Sequence, residues 1–220
     1  MEPKWNKDFE KEIFEEWMRN KDYKFDENSD KEIYSIDTPP PYVNAPVHIG
    51  QTTTYILMDM FARFRRMIGY NVLFPLGLDR NGLPIEIAAE KKFNIDISKT
   101  PREEFINYCK KLLEEYSLAS IEIFKKCGIS FNSYEIGEEI GDLYLTDSES
   151  YRALTQRTFI ELWRKGLIYE AEYPTNYCPG CRTTLADAEI DYEEIETNFV
   201  DIKFKVKETN EEIIISTTRP

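Results

Sequence analysis

Apolar residues recur at helical spacing in five stretches of the chain and alternate at strand spacing near its end. Phe9, Ile13, Phe14 and Trp17 give one apolar face to a helix over residues 5–18, with acids and lysines opposite. A solvated loop at 26–30 precedes a short strand at 32–36. Tyr55, Ile56, Met60, Phe61, Phe64, Met67 and Ile68 then predict a helix over 49–68, closed by Gly69 as C-cap. Residues 71–74 read as a short buried strand. Strand, turn, helix and strand over 32–74 make a parallel βαβ unit, whose ligand crevice opens at the carboxyl ends of its strands.

Residues 84–93 predict a short helix. Thr100 is the expected N-cap of a longer one, with Pro101 at its first position, running to about Lys126 and ending at Gly128. Residues 132–150 are acidic and read as a solvated connection. A helix over 149–165 is stopped by Gly166, and 167–171 read as a strand. Residues 198–206 alternate as a half-buried strand does, 208–211 form a turn, and 212–218 supply the partner. A new β domain begins there.

Three places carry candidate chemistry. In Thr38-Pro-Pro-Pro-Tyr-Val-Asn-Ala-Pro-Val-His-Ile-Gly-Gln51 the prolines lack amide hydrogens, so the segment is stiff and is expected to stay out of any ladder. It delivers His48 and Gly50 to a helix N-terminus, where free N–H groups and the dipole suit phosphate. The plainer alternative is a proline-rich connector with His48 as a cap. The loop Pro75-Leu-Gly-Leu-Asp-Arg-Asn-Gly-Leu-Pro84 falls at the same end of the sheet, and Asp79 is its one acid: a partner for a cationic group, or a turn-forming residue. Cys178-Pro-Gly-Cys181 places two thiols where they can face one tetrahedral metal ion, although zinc takes about four ligands. A redox pair and a metal-free turn are the alternatives. Cys109 and Cys127 read as core thiols.

Composition narrows the classes. In 220 residues, 41% hydrophobic and 31% charged, no apolar run approaches a membrane span and no signal-peptide core follows Met1. A net charge of -13 excludes a free-standing nucleic-acid binder with a basic face. Few, scattered cysteines fit a cytoplasmic protein without a disulfide framework.

Several motifs agree in order and spacing: Pro39-Pro-Pro-Tyr-Val-Asn44, His48-Ile-Gly-Gln51, Gly77-Leu-Asp-Arg-Asn-Gly-Leu-Pro-Ile-Glu86, the 159–169 segment, Tyr177-Cys-Pro-Gly-Cys-Arg182 and Ser216-Thr-Thr-Arg-Pro220. On these the chain resembles, over nearly its whole length, the N-terminal part of a class I aminoacyl-tRNA synthetase of the valine/isoleucine/leucine group, most similar to the archaeal valyl type. The resemblance implies an α/β fold, the first half of a Rossmann-type (HUP-like) catalytic domain. It divides the chain into a helical extension (1–31), that catalytic half (32–172), a zinc-knuckle-like connection (173–197) and the start of an inserted β-barrel editing domain (198–220). His48, Gly50 and Gln51 match the ATP-binding signature, His48 at the phosphates; Gln51 stands where the family usually has a second histidine. Asp79 matches the acid that pairs with the substrate ammonium, and Pro39, Pro40 and Asn44 belong to the amino-acid pocket. The third proline favours valine over isoleucine. Thr217, Thr218 and Arg219 match the start of the editing domain, and Cys178 and Cys181 a zinc site. The implied partners are valine, ATP with Mg²⁺, and tRNA(Val), for a monomer. The missing second half of the active site makes the chain an expected fragment, inactive by itself. Isoleucine or leucine specificity and a non-catalytic nucleotide- or partner-binding module are the alternatives.

Overall fold

The computed structural model describes Lys4 and residues 6–219. Trp5, the expected start of the first helix, and Pro220, the end of the last motif, lie outside the described residues. The chain divides into two units after Ile168.

In the first unit, helix α1 (Lys7–Asn20) begins at Asn6, whose side chain accepts from the Asp8 amide. Strand β1 (Ile33–Ser35), helix α2 (Ile49–Met67) and strand β2 (Asn71–Leu73) follow. The two strands pair in parallel, Tyr34 opposite Val72, so the expected βαβ unit is present. Pro75 then interrupts the ladder, and the same run resumes as β3 (Gly77–Leu78). Past the break it changes neighbour and pairs in parallel with β4 (Tyr144–Leu145), Gly77 opposite Tyr144. Helices α3 (Leu83–Phe93), α4 (Arg102–Lys126) and α5 (Glu149–Arg164) complete the unit.

The segment expected to be a solvated connection is in fact part of the core. Leu143 is fully enclosed, and Asn132, Tyr134 and Thr146 are buried. Asn132 mends the break at Pro75: its side chain accepts from the Phe74 amide and donates to the Val72 carbonyl at 2.9 Å and the Tyr23 carbonyl at 2.7 Å. Its own amide donates to the Phe74 carbonyl at 3.0 Å. Above it, Phe74, Phe124, Phe131, Tyr55 and Tyr134 pack ring to ring, Phe74 and Phe131 at 4.7 Å between centroids.

Helix α2 buries a different face from the one its apolar stripe suggests. Thr52, Tyr55, Asp59 and Ala62 point inward, while Met60, Phe61, Phe64 and Met67 are exposed. Asp59 is satisfied there: it accepts from the Ser130 amide at 2.8 Å and from Arg63 Nε at 2.7 Å. Arg66 also reaches the Ser130 carbonyl, and burial pulls its guanidinium down to about 10. A buried charge is tolerated only when paired and bonded in this way. No helix among the described residues is long and apolar enough to cross a membrane.

Other expectations change as well. Thr100 does not cap α4; its hydroxyl turns back to the Asp96 carbonyl at 2.8 Å, and Pro101 takes the cap position. Residues 167–171 form no strand, because no neighbouring strand offers them a ladder and Leu167 and Tyr169 are exposed. Cys109 packs against the core, but Cys127 is exposed.

The second unit holds two antiparallel hairpins: β5 (Asn176–Cys178) with β6 (Thr183–Leu185), and β7 (Val200–Lys205) with β8 (Glu212–Thr217). The β7–β8 strands pair as expected but are not half-buried. Phe204, Ile213, Ile214 and Ile215 are each more than half exposed, and two strands alone enclose no core.

Candidate active site

The 38–51 segment is pinned at four points. The Tyr55 hydroxyl donates to the Pro39 carbonyl at 2.6 Å. Residue 42 forms a parallel bridge with Asp79: the Asp79 amide donates to the Pro41 carbonyl at 2.8 Å, and the Val43 amide to the Asp79 carbonyl at 3.0 Å. The proline run was expected to stay out of any ladder, yet it joins one. Proline lacks only the donor, and here its acceptor is the group used. Further on, Val47 is buried and its amide donates to Ser120 Oγ at 3.3 Å. Asn44 is exposed. The bridge sets the proline run beside Asp79.

His48 is the N-cap of α2, and the signature residues close a capping box. The Gly50 amide donates to His48 Nδ1 at 3.1 Å, and the His48 amide to Gln51 Oε1 at 3.2 Å. Both side-chain acceptors are thus used inside the box. An imidazole whose Nδ1 accepts carries its proton on Nε2 when neutral, so His48 presents Nε2–H outward and Gln51 its amide NH₂. Donors and a helix dipole at one exposed end suit an anion. Gln is a standard third residue of such a box, which gives Gln51 a role of its own.

Gly50 leaves room for this fold-back. A Cβ there would sit 3.0 Å from His48 Cε1 and 3.2 Å from Nδ1. Gly50→Ala should swing the ring away while moving the melting temperature little. A lost cap costs about 0.5–2 kcal/mol, and alanine in a helix returns about 1 kcal/mol. Ring ¹⁵N shifts of the chain's single histidine report it: an Nδ1 acceptor signature in the parent and a mixed one in the variant. An unchanged spectrum would show that the ring does not fold back over Gly50.

Asp79 is held by one oxygen. Oδ1 accepts from the Asn81 amide at 3.2 Å and from the Thr146 hydroxyl at 3.1 Å. Among the described residues no hydrogen bond reaches Oδ2. Asn81 braces the loop, its side-chain Nδ2 donating to Thr146 Oγ1 at 2.8 Å. Arg80 is buried beneath, with Nη2 at 3.5 Å from Glu114 and Nε at 3.1 Å from Asp147 Oδ1. The latter contact is an ion pair by distance, but too bent for a hydrogen bond. The Tyr144 ring lies across Gly77, where a Cβ would collide with the ring. Burial holds the Tyr144 phenol above its ordinary range, with Tyr151, Asp37 and Asp79 adding to it. A cavity of about 270 Å³ lined by Met18, Lys24, Phe25 and Glu139 contains none of these residues.

A profile for the family described as tRNA synthetases class I (I, L, M and V) matches residues 12–215. The chain belongs to the class I tRNA synthetases. Its α/β architecture is the Rossmann-type fold of that family. It is 49% identical over 219 residues to a valine–tRNA ligase of Pyrobaculum aerophilum, covering 99% of this chain and 26% of that protein. Identity to a valine–tRNA ligase of Nanoarchaeum equitans is 45% over 210 residues, 96% of this chain and 27% of the relative. The synthetase chain thus spans about a quarter of the length of these curated relatives. Its fold is also similar to a leucyl enzyme of Agrobacterium radiobacter K84, crystallised with tRNA and LeuAMS. There the TM-score is 0.59 at 23% identity, over 83% of this chain and 21% of that one.

In the second unit of this synthetase chain, Cys178 and Cys181 flank a tight turn. The Cys181 amide donates to Cys178 Sγ at 3.3 Å, and hydrogen bonds from Cys181 and the Gly180 amide hold the Cys178 thiol below its ordinary range. Among the described residues no group of three or more His, Cys, Asp or Glu side chains could hold a metal. The turn therefore offers two of the four donors tetrahedral zinc takes. Thr217 ends β8, and its hydroxyl accepts from the Arg219 amide at 3.0 Å; Thr218 is exposed.

Thr146 and the Arg80–Asp147 pair were not singled out by the sequence reading. The only signal for them is a Thr-Asp pair just before the Ser148 cap of α5.

Proposed function

We propose that the protein is a valine–tRNA ligase, acting as a cytoplasmic monomer, and that the crevice beside Asp79 is where valine is activated. The observation that carries this reading is the bridge between residue 42 and Asp79. It sets a carboxylate with one uncommitted oxygen beside a rigid proline wall. The relatives named above as valine–tRNA ligases, and the third proline, favour valine among the family's substrates.

On this reading Asp79 Oδ2 accepts the α-ammonium of valine, and Pro39, Pro40 and Asn44 wall its side chain. His48 Nε2–H and the Gln51 amide donate to the phosphates of ATP at the α2 N-terminus, where Gly50 leaves the backbone open. Valine's carboxylate oxygen attacks the α-phosphorus; the bond to the bridging oxygen breaks, and pyrophosphate leaves. Positioning and electrostatics supply the catalysis, with no covalent help from the protein. Mg²⁺, bound with ATP, neutralises phosphate charge. The acyl group then passes to the terminal ribose of tRNA(Val).

Valyl enzymes are known to reject threonine only about a hundredfold in the synthetic site, so a second, hydrolytic site is needed. Thr217, Thr218 and Arg219 begin that editing barrel in this proposal. Cys178 and Cys181 supply half of a zinc site completed by two further thiolates. One zinc per chain is the expected metal content of the complete gene product, lost on Cys178→Ser; metal-free protein with intact activity contradicts the zinc assignment.

ATP–pyrophosphate exchange by the complete gene product tests the function. Exchange should depend on valine and be far weaker with isoleucine or leucine. Preference for either of those, or nucleotide binding without any exchange, contradicts it.

A further inference from the structure

We propose that Thr146 is a positioning residue for amino-acid recognition, fixing the Asp79 carboxylate so that Oδ2 alone is presented to the substrate ammonium. The inference rests on the activation reading given above. It turns on one hydroxyl shared by three consecutive residues of the facing loop. Thr146 Oγ1 accepts from the Arg80 amide at 2.9 Å and from Asn81 Nδ2 at 2.8 Å, and lies 3.1 Å from Asp79 Oδ1. A hydroxyl has one proton and two lone pairs. Both lone pairs here face groups assigned as donors, so the one proton points at Asp79. Thr146 is 7% exposed, leaving water little access to take that proton.

The consequence falls on the carboxylate. Oδ1 receives two donors, the Thr146 hydroxyl and the Asn81 amide, and its plane is set. Thr146 is itself anchored, its amide donating to the Leu78 carbonyl at 3.2 Å at the end of the β3–β4 pair. Asp79 is thereby aimed from just past the end of β4, 67 residues away in sequence, and not by its own loop alone.

Thr146→Val removes the proton at nearly constant volume. In exchange assays on the complete gene product it should raise the KM for the amino acid about ten- to a hundredfold, the range for a hydrogen bond to a charged group. KM for ATP should stay unchanged, and Thr146→Ser should restore the parent value. Asn81 is exposed, so Asn81→Asp supplies a second variant whose folding is not in question. Its carboxylate accepts where a donor is needed, draws the Thr146 proton away from Asp79, and should also raise the amino-acid KM. In an Asp79→Asn background, Thr146→Val should add little. Equal changes in both KM values, a serine variant as impaired as valine, or full additivity with Asp79→Asn would overturn the proposal. A parent enzyme selective for another amino acid would overturn only the valine assignment, with the Thr146 comparison then made on that substrate. A parent enzyme that activates no amino acid overturns both.

Discussion

Asp79→Asn is expected to raise the valine KM of the complete gene product by two to three orders of magnitude, with the KM for ATP unchanged. Truncating one member of a desolvated charge pair costs about 2–5 kcal/mol, or some 30- to 4,000-fold. The structure says which way the new amide turns. Thr146 and the Asn81 amide both donate at Oδ1, so the asparagine carbonyl stays there and its NH₂ takes the place of Oδ2. A donor would then face the substrate ammonium, another donor. Exchange kinetics with each substrate varied in turn measure the effect. An equal rise for ATP, or a change in valine KM below about tenfold, would remove Asp79 from ammonium recognition.

The largest stability effect is expected at Asn132. Asn132→Ala leaves the Phe74 amide and the Val72 and Tyr23 carbonyls without the partners they now have. The Phe74 amide and the Val72 carbonyl are the buried ones, and each costs about 1–3 kcal/mol when left unpaired, so a loss of about 2–6 kcal/mol is expected. For a unit of this size that lowers the melting temperature by roughly 4–24 °C. Asn132→Asp should fall between: its carboxylate still accepts from Phe74 but donates to neither carbonyl. Thermal unfolding followed by circular dichroism checks the order. Alanine and aspartate variants of equal stability would mean that the Phe74 contact contributes nothing, and an aspartate variant as stable as the parent that the Val72 and Tyr23 contacts contribute nothing.

Asn132 also shows what the sequence could not display. The βαβ unit was legible because its signal is periodic: Tyr55 lies on a helix face, and 32–36 and 71–74 are short runs bounded by loops. The place of Asp79 beside the proline run followed from that topology, and the bridge to residue 42 bears it out. Residues 132–146 carry no such period. Asn132, Tyr134, Leu143 and Thr146 are buried one at a time among Glu135, Glu138, Glu139 and Asp142, and their polar partners lie 58 or more residues away for Phe74 and Asp79. Composition makes that stretch look solvated, but tertiary pairing decides otherwise.

Helix α2 fails in the opposite direction. Its apolar stripe is real, but the inward face is chosen by Asp59, whose hydrogen bonds to Ser130 and Arg63 are invisible without the fold. Gln51 was legible only as a departure from a motif. The capping box gives it a physical reason, since its carbonyl accepts from the His48 amide.

The most direct test of the account is a crystal structure of the complete gene product with a non-hydrolysable valyl-adenylate analogue. The valyl ammonium is expected on Asp79 Oδ2, with the Thr146 hydroxyl still on Oδ1. The valine methyls should lie against Pro39 and Pro40, and the phosphate mimic within reach of His48 Nε2–H at the start of α2. An ammonium bound away from Asp79, or a phosphate mimic away from the α2 N-terminus, would refute the proposed site.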